Sequence, residues 1–192
     1  MSGFKASLVA LALMLVMFSA GAAEIEGVKV PEQVKLGDTG PELVLNGAGL
    51  RTRAIFKVYV GALYLQQKKT AADAVLADTG ARRVALHLLR DLSSEQLLSA
   101  FNDGLKSNHA PAELAKLDAQ VKQLESIFAA VKEAKTGEVI LLDYIPGSGT
   151  RVVVNRDAKG TIPGEDFNRA LLRIWLGERP VDAALKKAML GG

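Results

Sequence analysis

Alternation of apolar and polar positions with a period of two predicts the strands of this chain. Residues 54–65 are rich in β-branched and aromatic side chains, the composition that fits a pleated sheet. Residues 82–90 alternate Val and Leu with Arg, Ala and His. Residues 138–145 and 150–155 flank a Pro-Gly-Ser-Gly turn and predict a hairpin. We therefore expect a mainly antiparallel sheet.

The two faces of the strand predicted at residues 54–65 differ in polarity. Val58 and Val60 lie on one face, which is predicted to be core, because side chains alternate across a strand. Lys57 and Tyr59 lie on the other face, which is expected to be partly wet or to line a cavity.

The sequence NGAGLR, at residues 46–51, precedes that strand. Gly47 and Gly49 can take a positive φ or allow another segment to approach the backbone closely. They predict a bend in the chain, reached by a short strand at residues 43–46. An earlier strand, at residues 24–36, contains Pro31 and belongs at a sheet edge.

Periods of three and four residues predict the helices. Ser93 and Gln96 have the spacing of a capping box that opens the first long helix. Apolar residues at these periods from 111 to 131 indicate one long helix, for which a coiled coil is the competing interpretation. The early break at Gly137 favours packing on the domain's own sheet. Two further helices are predicted, at residues 167–176 and 182–189.

This order of elements predicts a single α+β domain over residues 24–192. A mainly antiparallel β-sheet is packed on one face by a layer of helices, as in an open-faced β-sandwich. The length is sufficient for one domain with its own core, and no internal repeat or low-complexity linker divides it.

Residues 1–23 have the three regions of a signal peptide: Lys5, an apolar run at 6–18, and small residues before a cleavage site. The run is shorter than the roughly 20 residues that a membrane-spanning helix needs. We therefore expect cleavage after Ala22 or Ala23, export to a periplasm or out of the cell, and no membrane anchor afterwards.

Composition excludes several classes of function. The formal net charge is +3, and the positive residues are scattered, so nucleic-acid binding is not expected. Cysteine is absent, which excludes a lipid-anchor cysteine, a disulfide framework and a thiol nucleophile.

Motifs for cofactors, metals and serine nucleophiles are also missing. A dinucleotide fingerprint would require a third glycine where Thr52 stands. His87 and His109 have no partners at metal-ligand spacing. Ser148 lacks the G-x-S-x-G context of a nucleophile and is predicted to lie in the turn of the hairpin at residues 138–155. We therefore expect neither a cofactor nor a metal site.

Arg51 is the strongest candidate for binding chemistry. Its guanidinium lies between a glycine-rich turn and an apolar strand, and it can offer a planar, bidentate donor pair to a carboxylate or an enolate oxygen. Composition alone favours a surface or ion-paired arginine instead.

Two segments resemble the chalcone isomerase fold family. They are GAGLR followed by FKVYVGALYL, at residues 47–65, and GTIPGEDFNRALLRIWLGERPVDAAL, at residues 160–185. The resemblance covers residues 28–190 and implies the open-faced sandwich fold. It places Arg51 where the isomerases have an arginine that stabilises negative charge on the substrate, and where fatty-acid-binding relatives have one that holds a carboxylate.

The resemblance also places Tyr59 and Leu92 in the site. Tyr59 is at the position of a threonine that binds the substrate through water in plant-type isomerases, and Leu92 replaces the catalytic tyrosine. That loss weakens the enzyme interpretation. Arg51 and Tyr59 are eight residues apart in the chain. A straight strand would hold them about 26 Å apart, at roughly 3.3 Å per residue, so they share a pocket only if the chain bends between them.

Three functions remain open. The first is an exported, non-catalytic protein that binds an apolar, fatty-acid-like ligand with an acidic head through Arg51 and Tyr59. The alternative is an isomerase, an intramolecular lyase acting on a conjugated ketone, in which Arg51 is catalytic and stabilises the enolate. The third is an interaction module whose cavity is filled by its own side chains, such as Tyr59 and Tyr64.

Overall fold

The computed structural model describes residues 22–192. Nearly all of the predicted signal peptide lies outside these residues and stays a prediction, and both predicted cleavage positions fall within the first strand. The described part of the chain has eleven strands and six helices. The strands are β1 Ala22–Ile25, β2 Val28–Pro31, β3 Gln33–Lys35, β4 Glu42–Arg53, β5 Phe56–Leu65, β6 Arg82–Leu88, β7 Leu92–Ser93, β8 Glu133–Ala134, β9 Val139–Ile145, β10 Gly149–Val154 and β11 Asp157–Ile162. The helices are α1 Ala72–Leu76, α2 Ser94–Asn108, α3 Pro111–Ala115, α4 Asp118–Val131, α5 Glu165–Leu176 and α6 Ala183–Met189.

Seven strands form one sheet in the order β11-β10-β9-β6-β5-β4-β3. Every neighbouring pair is antiparallel. The predicted hairpin is confirmed as β9 and β10, and the strand predicted at residues 82–90 is β6. The α+β fold class with a mainly antiparallel sheet is therefore confirmed.

The helices pack on one face of this sheet and form the main core with it. Helix α5 is the centre of the layer, since Phe167, Leu171 and Trp175 are all almost completely buried against the sheet and the neighbouring helices. A smaller apolar cluster lies on the other face, where side chains of β5 meet Val30 of β2 and Leu43 of β4.

The turn predicted at the two glycines is wrong, because β4 continues through them as one strand, with only a register shift between Leu45 and Gly47 in its pairing with β5. Their role is the other one that glycine permits, close approach. A Cβ on Gly47 would collide with the carbonyl oxygen of Ala188, and one on Gly49 would lie 2.6 Å from the Ala188 Cβ. Helix α6 therefore rests directly on the backbone of β4.

The alternation predicted for β5 holds, but the main core lies on the face of Tyr59, which was expected to be partly wet or to line a cavity, and not on the face of Val60. Tyr59 and Leu63 point into the main core under the helices, whereas Val60, Ala62 and Tyr64 belong to the smaller cluster on the opposite face. Both faces are buried because β5 lies inside the sheet and is covered on both sides.

Two helix predictions had different outcomes. The capping box is confirmed, since the Ser93 Oγ accepts a hydrogen bond from the Gln96 backbone N–H and the Gln96 side chain accepts one from the Ser93 N–H. The single long helix at residues 111–131 is wrong, because the chain breaks into α3 and α4 at Lys116 and Leu117. No helix among residues 22–192 is long and apolar enough to cross a membrane.

Candidate functional site

The hairpin of β4 and β5 brings the two predicted site residues together. Arg51 and Tyr59 are directly opposite each other in the pairing register. The chain reverses between them at Ala54 and Ile55, and Ala54 has a φ of 54°. The bend that the sequence required between Arg51 and Tyr59 is therefore a tight hairpin turn.

A cavity of about 110 Å³ lies between this hairpin, strand β6 and helices α2 and α5. Most of its wall is apolar. The lining residues are Arg51, Arg53, Phe56, Val58, Tyr59, Leu86, Leu88, Arg90, Leu92, Gln96, Leu97, Ala100, Phe101, Ile174, Trp175 and Val181. The exposed residues of this set, Arg53 and Phe56 among them, mark its mouth.

The guanidinium of Arg51 has no anionic partner in the described part of the chain. Its Cζ lies 5.4 Å from the centre of the Tyr59 ring, within the range of a cation–π contact. Its Nε is buried and has no hydrogen-bond partner. The ion pairs among residues 22–192 involve other side chains. A buried N–H donor is thus available at the cavity wall.

Tyr59 is held in place by Trp175. The Trp175 indole N–H donates a hydrogen bond to the Tyr59 hydroxyl oxygen, with an Nε1–Oη distance of 2.8 Å. Burial raises the pKa of Tyr59, and the positive charge of Arg51 and the Trp175 hydrogen bond oppose that rise only in part. Tyr59 therefore stays a neutral phenol at ordinary pH, and its hydroxyl is the one hydroxyl on the cavity wall.

The lining has three arginines and no acidic residue. Arg53 is exposed, and the Arg90 guanidinium lies over the Phe56 ring at 5.0 Å. Asp182, in the turn before α6, is outside the lining, and its charge contributes to raising the Tyr59 pKa. The cavity is therefore an apolar space with a positive wall, and it favours anions over cations.

Leu92 also lines the cavity. The position where the resemblance implies a catalytic tyrosine thus faces the site and carries an aliphatic side chain. Tyr64, which the third hypothesis placed in the cavity, lies instead in the cluster on the opposite face of the sheet. The protein's own side chains therefore do not fill the cavity, whose volume is small.

Arg90 and Trp175 are the residues of this site that the sequence did not reveal as functional. Trp175 is buried in α5, and its hydrogen bond to Tyr59 could not be known without the packing of α5 on β5. Arg90 follows β6, and only the pairing of β5 with β6 places it beside Phe56.

The two histidines lie outside this cavity. Burial lowers the pKa of His87, which keeps its ring neutral, and the His109 ring nitrogen is 3.3 Å from the Ala170 carbonyl oxygen. Among residues 22–192, no group of three or more His, Asp or Glu side chains is arranged to hold a metal ion.

Comparison with known proteins agrees with this architecture. A family model described as chalcone isomerase-like matches residues 22–191. The crystal structure of a fatty-acid binding protein from Arabidopsis thaliana is similar, with a TM-score of 0.67, a sequence identity of 17%, and coverage of 88% of this chain and 96% of that chain. At this identity the likeness shows the fold alone. No curated protein gives a significant match to the sequence.

Proposed function

Because the chain belongs to the chalcone isomerase-like family, we propose that it is a non-catalytic binding protein whose cavity takes a small apolar ligand with a carboxylate head at Arg51. One observation carries the proposal: the Arg51 Nε is buried and unpartnered at the wall of an apolar cavity. The fatty-acid binding protein with the similar fold supports the same class of ligand.

A carboxylate would satisfy groups that the protein leaves unsatisfied. A buried donor without a partner costs about 1–3 kcal/mol, and a carboxylate can accept two parallel hydrogen bonds from one guanidinium. The neutral Tyr59 hydroxyl, which accepts from Trp175, can donate to the same ligand oxygen. No acidic residue lines the cavity, so a ligand carboxylate would be the only carboxylate at its wall.

The size of the cavity limits the ligand. Ligand pockets for drug-sized molecules have roughly 300–1,000 Å³, and a cavity of about 150 Å³ holds benzene. At about 110 Å³, this one takes a carboxylate with a short chain. A longer fatty-acid chain enters only if side chains at the wall move or if its tail leaves through the mouth between Arg53 and Phe56.

The lining argues against catalysis. It contains no His, Asp, Glu, Lys, Ser or Cys, and the tyrosine position of the enzymes holds Leu92. Tyr59 cannot act as a base at neutral pH because burial raises its pKa. Proton abstraction from a conjugated ketone therefore has no suitable base in the lining.

We further propose that the binding protein acts after export, in a periplasm or outside the cell. The support is the sequence of residues 1–23, with its positive start, apolar run and small-residue cleavage region. Intact mass measurement of the protein purified from an exporting host tests this, and a mass that still includes residues 1–23 contradicts it.

The fluorescence of Trp175 tests the ligand directly, because it is the only tryptophan of the chain and it lines the cavity. Wild type is titrated with straight-chain carboxylates from butanoate to hexadecanoate and with the alcohols of equal length. We expect saturable binding of carboxylates and weaker binding of alcohols. Arg51→Gln should weaken carboxylate binding on the order of 10- to 100-fold, since it removes a hydrogen bond to a charged group.

The matched control is Arg156→Gln, at an exposed arginine in the turn between β10 and β11 that does not line the cavity. It should bind like wild type. Equal affinity of Arg51→Gln and wild type for carboxylates, or equal affinity of wild type for carboxylates and alcohols, contradicts the proposal.

A further inference from the structure

The turn between β4 and β5 exposes two large apolar side chains. Ile55 is 88% exposed and Phe56 is 55% exposed. Turn geometry does not explain them, because two-residue hairpin turns favour Asn-Gly or Gly-containing pairs, and Ala54 adopts a φ of 54° that suits glycine better. We call residues 53–57, together with Arg90 beside the Phe56 ring, the hairpin tip.

Basic residues surround these apolar side chains. Arg53 is exposed and has no ion pair among the described residues, and the Arg90 guanidinium is 5.0 Å from the centre of the Phe56 ring. Lys57 is also basic, but its Nζ is 2.6 Å from the Glu26 carboxylate. The hairpin tip therefore presents two cations that no carboxylate neutralises, Arg53 and Arg90, beside Ile55 and Phe56.

The two carboxylates near the hairpin tip accept hydrogen bonds from other groups. Asp91 follows Arg90 but accepts hydrogen bonds from the backbone and side chain of Thr136. Asp182 accepts from the backbone N–H groups of Thr52 and Leu185. Asp91 also pairs with Lys135, and neither carboxylate forms an ion pair with Arg53 or Arg90, so these two guanidinium groups stay free to bind an anion.

We propose that the hairpin tip docks on an anionic phospholipid surface. Ile55 and Phe56 enter the headgroup region, where exposed apolar side chains gain by leaving water, and Arg53 and Arg90 bind lipid phosphates. Charge complementarity selects this surface, since anionic lipids attract basic residues that have no partner in the protein. The inference concerns binding to a surface and stands whether or not the cavity binds a carboxylate.

The hairpin tip also forms part of the cavity wall. Arg53, Phe56 and Arg90 belong both to this surface and to the cavity lining. A protein docked through them has its cavity mouth against the lipid, where apolar molecules with acidic heads are concentrated. An amphiphile can then pass between membrane and cavity with little exposure to water.

Vesicle co-sedimentation of the purified protein tests the proposal. Vesicles of phosphatidylcholine alone are compared with vesicles containing about one third phosphatidylglycerol, at low and high salt. We expect binding to the anionic vesicles that falls with salt. Ile55→Ser combined with Phe56→Ser should weaken it at least about tenfold, and Arg53→Gln combined with Arg90→Gln by roughly fivefold per arginine.

Arg156→Gln is the matched control, with one exposed arginine removed from a different hairpin, and it should bind like wild type. Thermal unfolding establishes that each variant is folded, and intact mass establishes that all preparations have the same N-terminus. Binding unchanged by either pair of substitutions at the hairpin tip overturns the proposal. So does a wild-type dimer that the Ile55 and Phe56 substitutions dissociate without vesicles, since the surface then binds protein.

If the purified protein retains residues 1–23, these residues could bind vesicles themselves. A fluorescent label then shows which part of the protein contacts the lipid. The natural chain has no cysteine, so Ile55→Cys and Arg156→Cys can each carry one environment-sensitive fluorophore. The label at position 55 should shift to the blue on anionic vesicles, and the label at position 156 should not. Equal shifts at both positions, or none at position 55, overturn the proposal.

Discussion

Trp175 and Tyr59 share a buried hydrogen bond inside the main core. Trp175 donates to the Tyr59 oxygen at 2.8 Å, and both side chains are almost completely buried. Because a buried polar group without a partner costs about 1–3 kcal/mol, Trp175→Phe and Tyr59→Phe should each lower the free energy of unfolding by about that amount or more.

A double-mutant cycle separates this bond from the packing of the rings. The variant with both substitutions should be more stable than the sum of the two single effects predicts, by about 0.5–3 kcal/mol, since it leaves no orphaned partner. Urea unfolding of the four proteins measures the coupling. Additive effects would mean that the hydrogen bond contributes nothing to stability.

At the scale of residues, the sequence predicted the site in part. Arg51 and Tyr59 were identified through family resemblance, and the structure places them in one cavity. What the sequence could not provide is the register between strands. Alternation alone does not tell which face of β5 the helices cover, and only the pairing of β5 with β6 brings Arg90 beside Phe56.

At the scale of elements, the contact of α6 with β4 depends on two glycines of β4, Gly47 and Gly49, which have no side chain. Gly47→Ala or Gly49→Ala would push a methyl group into Ala188 and should lower the free energy of unfolding by more than about 2 kcal/mol. Gly137→Ala is the control, because open space surrounds it and only its φ of 86° opposes alanine. Its cost should be about 1 kcal/mol. Similar losses at all three positions, in urea unfolding, would refute the close-approach explanation.

Asp182 joins the start of α6 to the end of β4. Its two carboxylate oxygens accept from the backbone N–H groups of Leu185 and Thr52 at 3.0 and 3.2 Å. Asp182→Ala removes the helix cap and should cost about 1–2 kcal/mol, whereas Asp182→Ser retains a capping oxygen and should cost less. Thermal unfolding of the two variants checks the order, which a purely electrostatic role of Asp182 would not produce.

Element types followed from the sequence better than element ends did. Ser93 and Gln96 specify the start of α2 by local hydrogen bonds alone, so the prediction succeeded. Gly47 and Gly49 have two uses, a turn or a close approach, and only the packing of α6, which lies far along the chain, selects between them. The break between α3 and α4 likewise interrupts an apolar period that continues without a gap.

For the molecule as a whole, the three tyrosines predict instability at alkaline pH. Burial raises the pKa of Tyr59 and Tyr144, and that of Tyr64 to about 12. In the unfolded chain tyrosines ionise near pH 10. Above about pH 10 the unfolded chain therefore loses protons that the folded chain retains, and the free energy of unfolding falls, by at most about 1.4 kcal/mol per pH unit for each tyrosine.

Urea unfolding between about pH 8 and pH 12, followed by phenolate absorbance, measures this decline. Tyr64→Phe should make it shallower, because phenylalanine cannot ionise in the unfolded chain. An equal decline in wild type and Tyr64→Phe would show that Tyr64 does not contribute to it.

The fold class of the molecule was predictable because it depends on local signals. The turn between β9 and β10 specifies a hairpin, and the stripe with Phe167, Leu171 and Trp175 specifies a helix with one buried face. The order of strands and the second apolar cluster were not predictable, because they depend on pairings between distant segments.

The molecule cannot complete its fold until helix α6 has been synthesised. The Asn46 side chain donates to the Met189 carbonyl oxygen, 143 residues later in the chain. At roughly 5–20 residues per second, synthesis needs about 7 to 30 s to pass from one to the other. During that interval α6 does not yet pack on the backbone of β4 at Gly47 and Gly49. A nascent chain that cannot finish folding keeps this strand available to chaperones for the whole interval.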